Sequence, residues 1–475
     1  MLTPNKPEKP AKPRTPNRTT SIMKKSAKDA NHTVVGFANK PLTLSPPAIL
    51  SLGFLFLIAI GTLLLSLPMA SYQPISVLSA GFTATSAVTV TGLNVVDTAN
   101  YTIFGQMVIV ALIQMGGLGF MTFAILVLSS FQRKMGLSGA LVAQEALGGT
   151  SINQVVQTAK AVIEIALAVE FIGFVGLTLC FLPSKGLSAA MYEAFFLCVS
   201  AFNNAGFALT GNNLTVYNHM PMVTTIISFL IIMGGLGFLV ILDVIKQRHW
   251  SRFSTNTKVM LSATATLNIV GMVLFWLLEY DNPKTLGVLA GVEQWANAWF
   301  MAVTSRTAGF NSIDYGLIND DSMLLTEFLM FIGAGSMSTG GGIKLGTFMI
   351  IVATTVAYLR QREQVIVFDK AMPDKLIKKS FALMSISILM IFISSFLLTL
   401  TEGNGRTVDI VFEVISASST VGLSRNFTPT LSEPGQLIIM FMMYMGRLGP
   451  LTLAYFIATP KPTRIKRPES HTLVG

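Results

Sequence analysis

The sequence predicts an all-α polytopic membrane protein made of four similar units, each a long span, a half-length re-entrant helix and a second long span. Three observations lead there. Of 475 residues, 52% are apolar and only 12% are charged, whereas soluble domains carry about a quarter charged residues to cover their surface. Apolar runs long enough to cross the roughly 30 Å hydrocarbon core recur from Pro46 to Thr459. These runs alternate long, short, long, and each short one ends in a glycine segment.

The first unit has a span over 48–70, a short stretch 75–88 and a span over 103–130. The second has 160–183, 187–203 and 222–246; the third has 258–280, 288–304 and a run of 39 residues, 322–360; the fourth has 380–401, 407–418 and 434–459. Divided at the polar connections, the units are 46–135, 136–248, 249–362 and 363–459. The short stretches end in Thr89-Val90-Thr91-Gly92, Asn203-Asn204-Ala205-Gly206, Arg306-Thr307-Ala308-Gly309 and Ser419-Thr420-Val421-Gly422, so one glycine returns at roughly 110-residue intervals. A second glycine motif follows in each next span: Gly116-Gly117-Leu118-Gly119, Gly234-Gly235-Leu236-Gly237, Gly333-Ala334-Gly335 and Gly446-Arg447-Leu448-Gly449. Single glycines in apolar helices usually serve packing. Four matched pairs in one register mark an internal repeat.

The flanks read differently. Residues 1–45 carry prolines at 4, 7, 10, 13 and 16 among lysines and arginines, a period that favours polyproline II over a packed fold. With no short apolar core before the first span, this reads as a disordered basic cytoplasmic tail and not a signal peptide. It either touches anionic lipid or is simply solvated. Residues 460–475 form a short basic tail. The net charge of +10 lies at the ends of apolar runs, where it sets topology, so a nucleic-acid partner is not expected. Lys and Arg crowd the connections between units, which by the positive-inside rule puts both termini in the cytoplasm and brings the glycine segments in from the outer face. Cys180 and Cys198 lie in apolar stretches and read as inert thiols.

A helix that stops midway through a membrane must return through non-helical backbone, which is tolerated only inside protein or along a water-filled path. Glycine permits dihedrals that turn carbonyls toward one axis, and four such loops make a ring of oxygens able to replace a cation's hydration shell. The candidate ion filter is therefore Thr89, Val90, Thr91 and Gly92; Asn203, Asn204, Ala205 and Gly206; Arg306, Thr307, Ala308 and Gly309; and Ser419, Thr420, Val421 and Gly422. Glu193 and Asp409, near the starts of their short helices, read first as complements to the positive helix ends and second as cation-attracting groups at a mouth.

This architecture, eight transmembrane helices and four re-entrant pore helices around one central pore, resembles the Trk/Ktr/HKT superfamily of potassium transporters. The run Ala84-Thr85-Ser86-Ala87-Val88-Thr89-Val90-Thr91-Gly92-Leu93 is similar to the pore subunits of bacterial Ktr systems, and the resemblance spans about residues 48–459. It implies potassium uptake across the inner membrane through a filter with little more than one shared glycine per loop. Glycine at position 92, where some sodium-preferring plant relatives carry serine, implies potassium selectivity. The resemblance also implies a homodimer controlled by a separate cytosolic RCK-type ring that binds ATP, ADP or NAD. No cofactor is expected on the chain itself, and sodium coupling stays open.

The run 322–360 is too long for one crossing, and residues 333–346 contain six glycines. Each disfavours helix by about 1 kcal/mol against alanine, so an unwound loop between two half-helices is expected. A phosphate loop is not, because Gly341 and not lysine follows Gly335-x-x-x-x-Gly340. By resemblance this loop is a gate below the filter, formed by Gly335, Ser336, Ser338, Thr339, Gly340, Gly341, Gly342 and Lys344, with Arg447 beside it; a flexible packing kink is the plainer reading. An arginine within a span is a functional candidate by default, and the resemblance has Arg447 bonding loop oxygens and repelling a cation. Lys344 either neutralises the loop or snorkels to the cytoplasmic face. The role of Arg306 is undefined. Glu164 and Glu170 read as pore-facing or, more simply, tied to Lys160 or a neighbouring helix.

Two other functions fit the sequence less well. A sodium-selective channel or transporter would share the architecture, but no arginine-rich voltage sensor or ring of filter carboxylates is present. A membrane-embedded enzyme would need clustered His, Asp or Glu within spans, and none of the four histidines lies in one.

Overall fold

The computed structural model describes residues 33–37, 40–44, 46–119, 152–403 and 405–449. Most of the N-terminal tail, the connection holding Arg133 and Lys134, and everything from 450 onward lie outside the described residues.

Helices come in the order the sequence predicts. Unit one holds α1 (Pro46–Leu65), α2 (Val77–Thr89) and α3 (Ile103–Gly117). Unit two holds α4 (Ile152–Lys185), α5 (Leu187–Phe202), α6 (Pro221–Leu236) and α7 (Phe238–Gln247). Unit three holds α8 (Thr255–Glu279), α9 (Gly291–Thr304), α10 (Asp320–Phe331) and α11 (Leu345–Leu359). Unit four holds α12 (Asp374–Thr401), α13 (Thr407–Ser418) and α14 (Glu433–Leu448). Several starts are set by side-chain caps: Ser76 accepts from the Ser79 amide at 3.1 Å before α2, Ser254 from Thr257 at 3.2 Å before α8, and Ser432 from Gly435 at 3.2 Å before α14.

Among the described residues, three helices are long and apolar enough to cross a membrane alone: α4 over Gln157–Lys185, α8 and α12. α12 turns apolar side chains outward, exposing Phe392, Phe396 and Leu400 at 69, 58 and 68%, the surface that lipid covers in a polytopic protein. The span expected over 222–246 is not straight. It bends by 94° between α6 and α7, because Gly237 at the junction takes φ +100°, outside any helix. Gly119 and Gly449, its counterparts in units one and four, also have positive φ of 82° and lie just past the ends of α3 and α14. The expected spans 103–130 and 434–459 are therefore interrupted at the second glycine motif, and their remainders lie outside the described residues. The 39-residue run of unit three breaks as its glycines predict, leaving a loop from Ile332 to Lys344 between α10 and α11.

Among the described residues, two short hairpins accompany the helices. Strands β1 (Thr33–Phe37) and β2 (Lys40–Leu44) pair antiparallel, with Thr33 opposite Leu44. This departs from the expectation of a structureless tail up to residue 45, for a local reason: Thr33, Val34 and Val35 are β-branched and favour strand. Strands β3 (Ile366–Val367) and β4 (Lys370–Ala371) pair in the turn between α11 and α12.

The units close on one another. Each short helix packs against spans of its own unit and against the second span of the unit before it: α5 on α3, α9 on α6, α13 on α10, and α2 back on α14. The second glycine motif explains how close these contacts are. A Cβ on Gly116, Gly234 or Gly446 would overlap with the carbonyl of Val88, Phe202 or Ser418, the last turn of that unit's own short helix. The paired glycines are thus one packing joint, used three times, that brings the span down onto the end of the short helix.

Candidate functional site

Each short helix stops in a similar way, and the stop shapes the loop. In units one, two and four the residue two before the glycine (Val90, Asn204, Thr420) turns left-handed, with φ of 58, 59 and 49°. The next amides fold back into the helix: Thr91 N to Ser86 O at 2.8 Å, Ala205 N to Ser200 O at 2.8 Å and Val421 N to Ser416 O at 2.9 Å. This is a Schellman closure. Gly92 N and Gly422 N are also held, by Ser86 Oγ and Ser416 Oγ, each at 3.0 Å. Unit three reaches the same path by another bond: Thr307 has φ +67°, and Ala308 N donates to Thr304 O at 3.0 Å. With the amides satisfied behind the loop, the carbonyls are left on its other side.

The four glycines form a closed ring. A Cβ placed on Gly92 would lie 3.1 Å from Gly206 Cα, one on Gly206 3.2 Å from Gly309 Cα, one on Gly309 3.1 Å from Gly422 Cα, and one on Gly422 3.0 Å from Gly92 Cα. In the same rotation each Cβ would press on the preceding carbonyl of the next loop: Ala205 O, Ala308 O, Val421 O and Thr91 O. All four glycines have positive φ, 97, 72, 74 and 96° in order. Two constraints therefore require glycine here, backbone strain and the lack of any room for a side chain.

In units one to three the side chain three residues before the glycine bonds groups behind the loop. Thr89 Oγ1 donates to Thr85 O at 2.7 Å and lies 2.8 Å from Thr91 Oγ1. Asn203 Nδ2 bonds Gln114 Oε1 at 2.6 Å and Glu170 Oε1 at 3.3 Å. Arg306, 7% exposed, donates from Nη1 to Asn268 Oδ1 at 3.2 Å. Its guanidinium is behind the loop, beside Thr264 and Ala334, so its side chain is no part of the ring surface. Between those positions and the glycines, Val90, Ala205, Ala308 and Val421 are fully buried.

The unwound loop of unit three lies against the ring. Added Cβ atoms on Gly340 and Gly341 would collide with Thr307 Oγ1 and Thr420 Oγ1, and one on Gly342 would stand 3.2 Å from Ser419 Cα. The loop is also tied to the end of α6. Gly335 N donates to Gly235 O at 2.8 Å, Thr339 N to Gly234 O at 3.2 Å, and Phe238 N to Met337 O at 3.0 Å. Thr339 Oγ1 reaches Phe202 O at 3.3 Å, and Ser338 Oγ folds back to Gly335 O at 2.7 Å. Lys344 Nζ donates to Gly340 O within the loop. Arg447 donates to Thr339 O in the loop and to Gly116 O and Gly117 O in unit one.

Three of the candidate acids, Asp409, Glu193 and Glu164, each pair with a basic side chain. Asp409 lies in the first turn of α13 and is 3.1 Å from Arg425 Nε. Glu193 is in the second turn of α5, bound to Lys185 and Tyr217. Glu164 pairs with Lys160 at 3.6 Å on an exposed face. Glu170 instead turns inward and accepts from Gln114 Nε2 at 3.3 Å and from Asn203. Cys198 Sγ donates to Glu170 O at 3.1 Å, and both cysteines are free thiols. On the side of the ring away from the loop, Asn213 Nδ2 bonds Gly206 O at 2.9 Å. There a cavity of about 350 Å³ opens among Asn212, Asn213, Asn311 and Asp314. Sequence reading missed the Gln114–Asn203–Glu170 cluster; the signal was three polar residues in apolar segments, one in each of three helices' reach.

The chain is similar to known proteins over most of its length. The family model TrkH, described as cation transport protein, matches residues 48–466. The chain is 43% identical over 437 residues to the Ktr system potassium uptake protein B of Bacillus subtilis, covering 92% of this chain and 98% of that one. It is 36% identical over 441 residues to the potassium/sodium uptake protein NtpJ of Enterococcus hirae, covering 91% and 98%. In fold it is similar to the crystal structure of the potassium transporter TrkH from Vibrio parahaemolyticus, with a TM-score of 0.69 at 18% identity over 86% of this chain and 85% of that one. The ring of four loops and the match over nearly the whole chain lead to one conclusion: this membrane protein belongs to the TrkH family of cation transport proteins.

Proposed function

We propose that this chain takes up potassium across the inner membrane through the ring of Gly92, Gly206, Gly309 and Gly422. The observation that carries the reading is the closure of that ring, in which every glycine stands against the next loop's backbone in one rotation. A ring of carbonyls around an axis, backed by the negative ends of four short helices, substitutes for a cation's water shell. In this reading the loop from Gly333 to Gly346 is the gate. It lies directly against Thr307 and Thr420 of the ring, and Arg447 and Lys344 bring two positive charges to the path of the ion.

Both termini are cytoplasmic in this account. The chain works with a regulatory partner, a reading supported by its likeness to relatives named as belonging to a Ktr system; the same reading makes the chain a homodimer and the partner a cytosolic nucleotide-binding ring. A second reading gives sodium a part in transport, alongside potassium; the likeness to a protein named for potassium and sodium uptake favours it. Potassium and sodium flux in vesicles, with each gradient varied in turn, tests both. Potassium flux that rises with an inward sodium gradient supports coupling. Sodium flux without potassium flux contradicts the proposed function.

A further inference from the structure

The ring is chemically uniform in front and electrically uneven behind. Three residues before the glycines of units one and four stand the neutral hydroxyls of Thr89 and Ser419. Behind unit two, Asn203 is bonded to the carboxyl of Glu170, which is 7% exposed. Behind unit three stands the guanidinium of Arg306, also 7% exposed.

The two ionisable groups back adjacent loops. Asn204 and Thr307, the residues next to Asn203 and Arg306, meet at 3.3 Å between amide and hydroxyl. Neither charged group has an ion-pair partner among the described residues. Glu170 is met by the amides of Gln114 and Asn203. Arg306 has one bond, to Asn268, and its Nε has no partner among the described residues. A buried charge is costly unless compensated, and its field is weakly screened where water and salt are excluded.

We propose that Glu170 and Arg306 set, with opposite sign, how strongly the ring holds a cation: Glu170 raises occupancy through the wall of loop two, and Arg306 lowers it through the wall of loop three. This rests on the reading of the ring as the ion filter. An acid on the far side of a loop stabilises the ion without touching it, and a guanidinium in the same register does the reverse. Set side by side, the two largely offset each other at the ion, leaving an occupancy that permits release. Tight binding alone would slow transport, since conduction needs a site an ion can leave.

The test uses the full chain with its regulator in cells lacking other potassium uptake, and reads the KM and maximal rate of potassium uptake. A unit charge on the order of 10 Å from an ion, at an effective dielectric near 20, changes occupancy by about tenfold. Glu170→Gln is therefore expected to raise KM by about tenfold, Arg306→Gln to lower it by a similar factor, and the double variant to fall within about threefold of the parent. A purely structural role predicts instead that both single variants lose uptake in the same direction and the double loses more; that result overturns the proposal. Glu170→Gln keeps the size and hydrogen-bonding reach of the side chain, so if Arg306→Gln is not inserted, the first variant decides alone, and an unchanged KM overturns the proposal. Gly92→Ser in the same assay separates the two levels. Unchanged preference for potassium over sodium in that variant removes the filter reading itself, whereas a changed preference beside unshifted charge variants removes only the charge proposal.

Discussion

Arg447, on the last helix of unit four, donates from Nη1 to the carbonyl of Thr339 at the turn of the unwound loop. Through Nη2 the same side chain holds Gly116 O, and Gly117 O at 3.1 Å, in unit one. One residue thus ties the loop to both units that flank the closing seam of the ring.

Replacing Arg447 with Gln removes the charge and breaks at least part of that tie. Hydrogen bonds from charged groups contribute about 1.5–3 kcal/mol each, and 1.4 kcal/mol changes a rate by about tenfold. Potassium uptake without the regulator is expected to rise by about tenfold. Uptake and membrane insertion are measured together; a variant that inserts normally and conducts less than the parent assigns Arg447 a structural role.

Gly341→Ala drives a methyl group into Thr420 Oγ1, so the loop must shift away from the ring. Regulator-independent uptake is expected to increase, and deletion of residues 335–342 is expected to increase it further. The deletion also removes the loop's backbone bonds to the end of α6, each worth about 1 kcal/mol, so its insertion is checked by fluorescence size-exclusion. Parent-like flux with parent-like regulation in both variants leaves the loop a packing kink.

Gly116→Ala tests the packing joint. The added Cβ overlaps with Val88 O, a backbone atom that cannot rotate away. Destabilisation of about 1–3 kcal/mol is expected for such overpacking, read as a lower thermal-inactivation midpoint in detergent. Gly119→Ala serves as the comparison, because no atom lies near its Cβ among the described residues although its φ is positive.

Much of this was legible in the sequence because membrane helices announce themselves by length and apolarity, and because a repeat read four times corrects itself. The short helices end within a residue or two of their expected limits, and the glycine register stands at the ring in all four units. What the sequence could not show depends on three-dimensional direction. Gly237 looks like any glycine in an apolar run, yet its φ of +100° bends the span. Arg306 lies in a filter segment, but the left-handed turn at Thr307 and the return at Gly309 leave its side chain behind the loop with Asn268. Glu170 and Glu164 sit on one helix six residues apart, and only packing decides that the first meets Asn203 while the second meets Lys160.

Potassium uptake under sodium competition, measured for serine substitutions at Gly92, Gly206, Gly309 and Gly422 in turn, bears hardest on the ring. Each substitution forces a side chain onto the neighbouring loop's carbonyl and adds strain at a positive φ, of about 1 kcal/mol or more. All four variants are expected to lose preference for potassium over sodium, by about tenfold where insertion is normal, and to do so to comparable degrees because the ring is closed. Four variants that insert normally and keep the parent's potassium affinity and sodium competition would contradict the account.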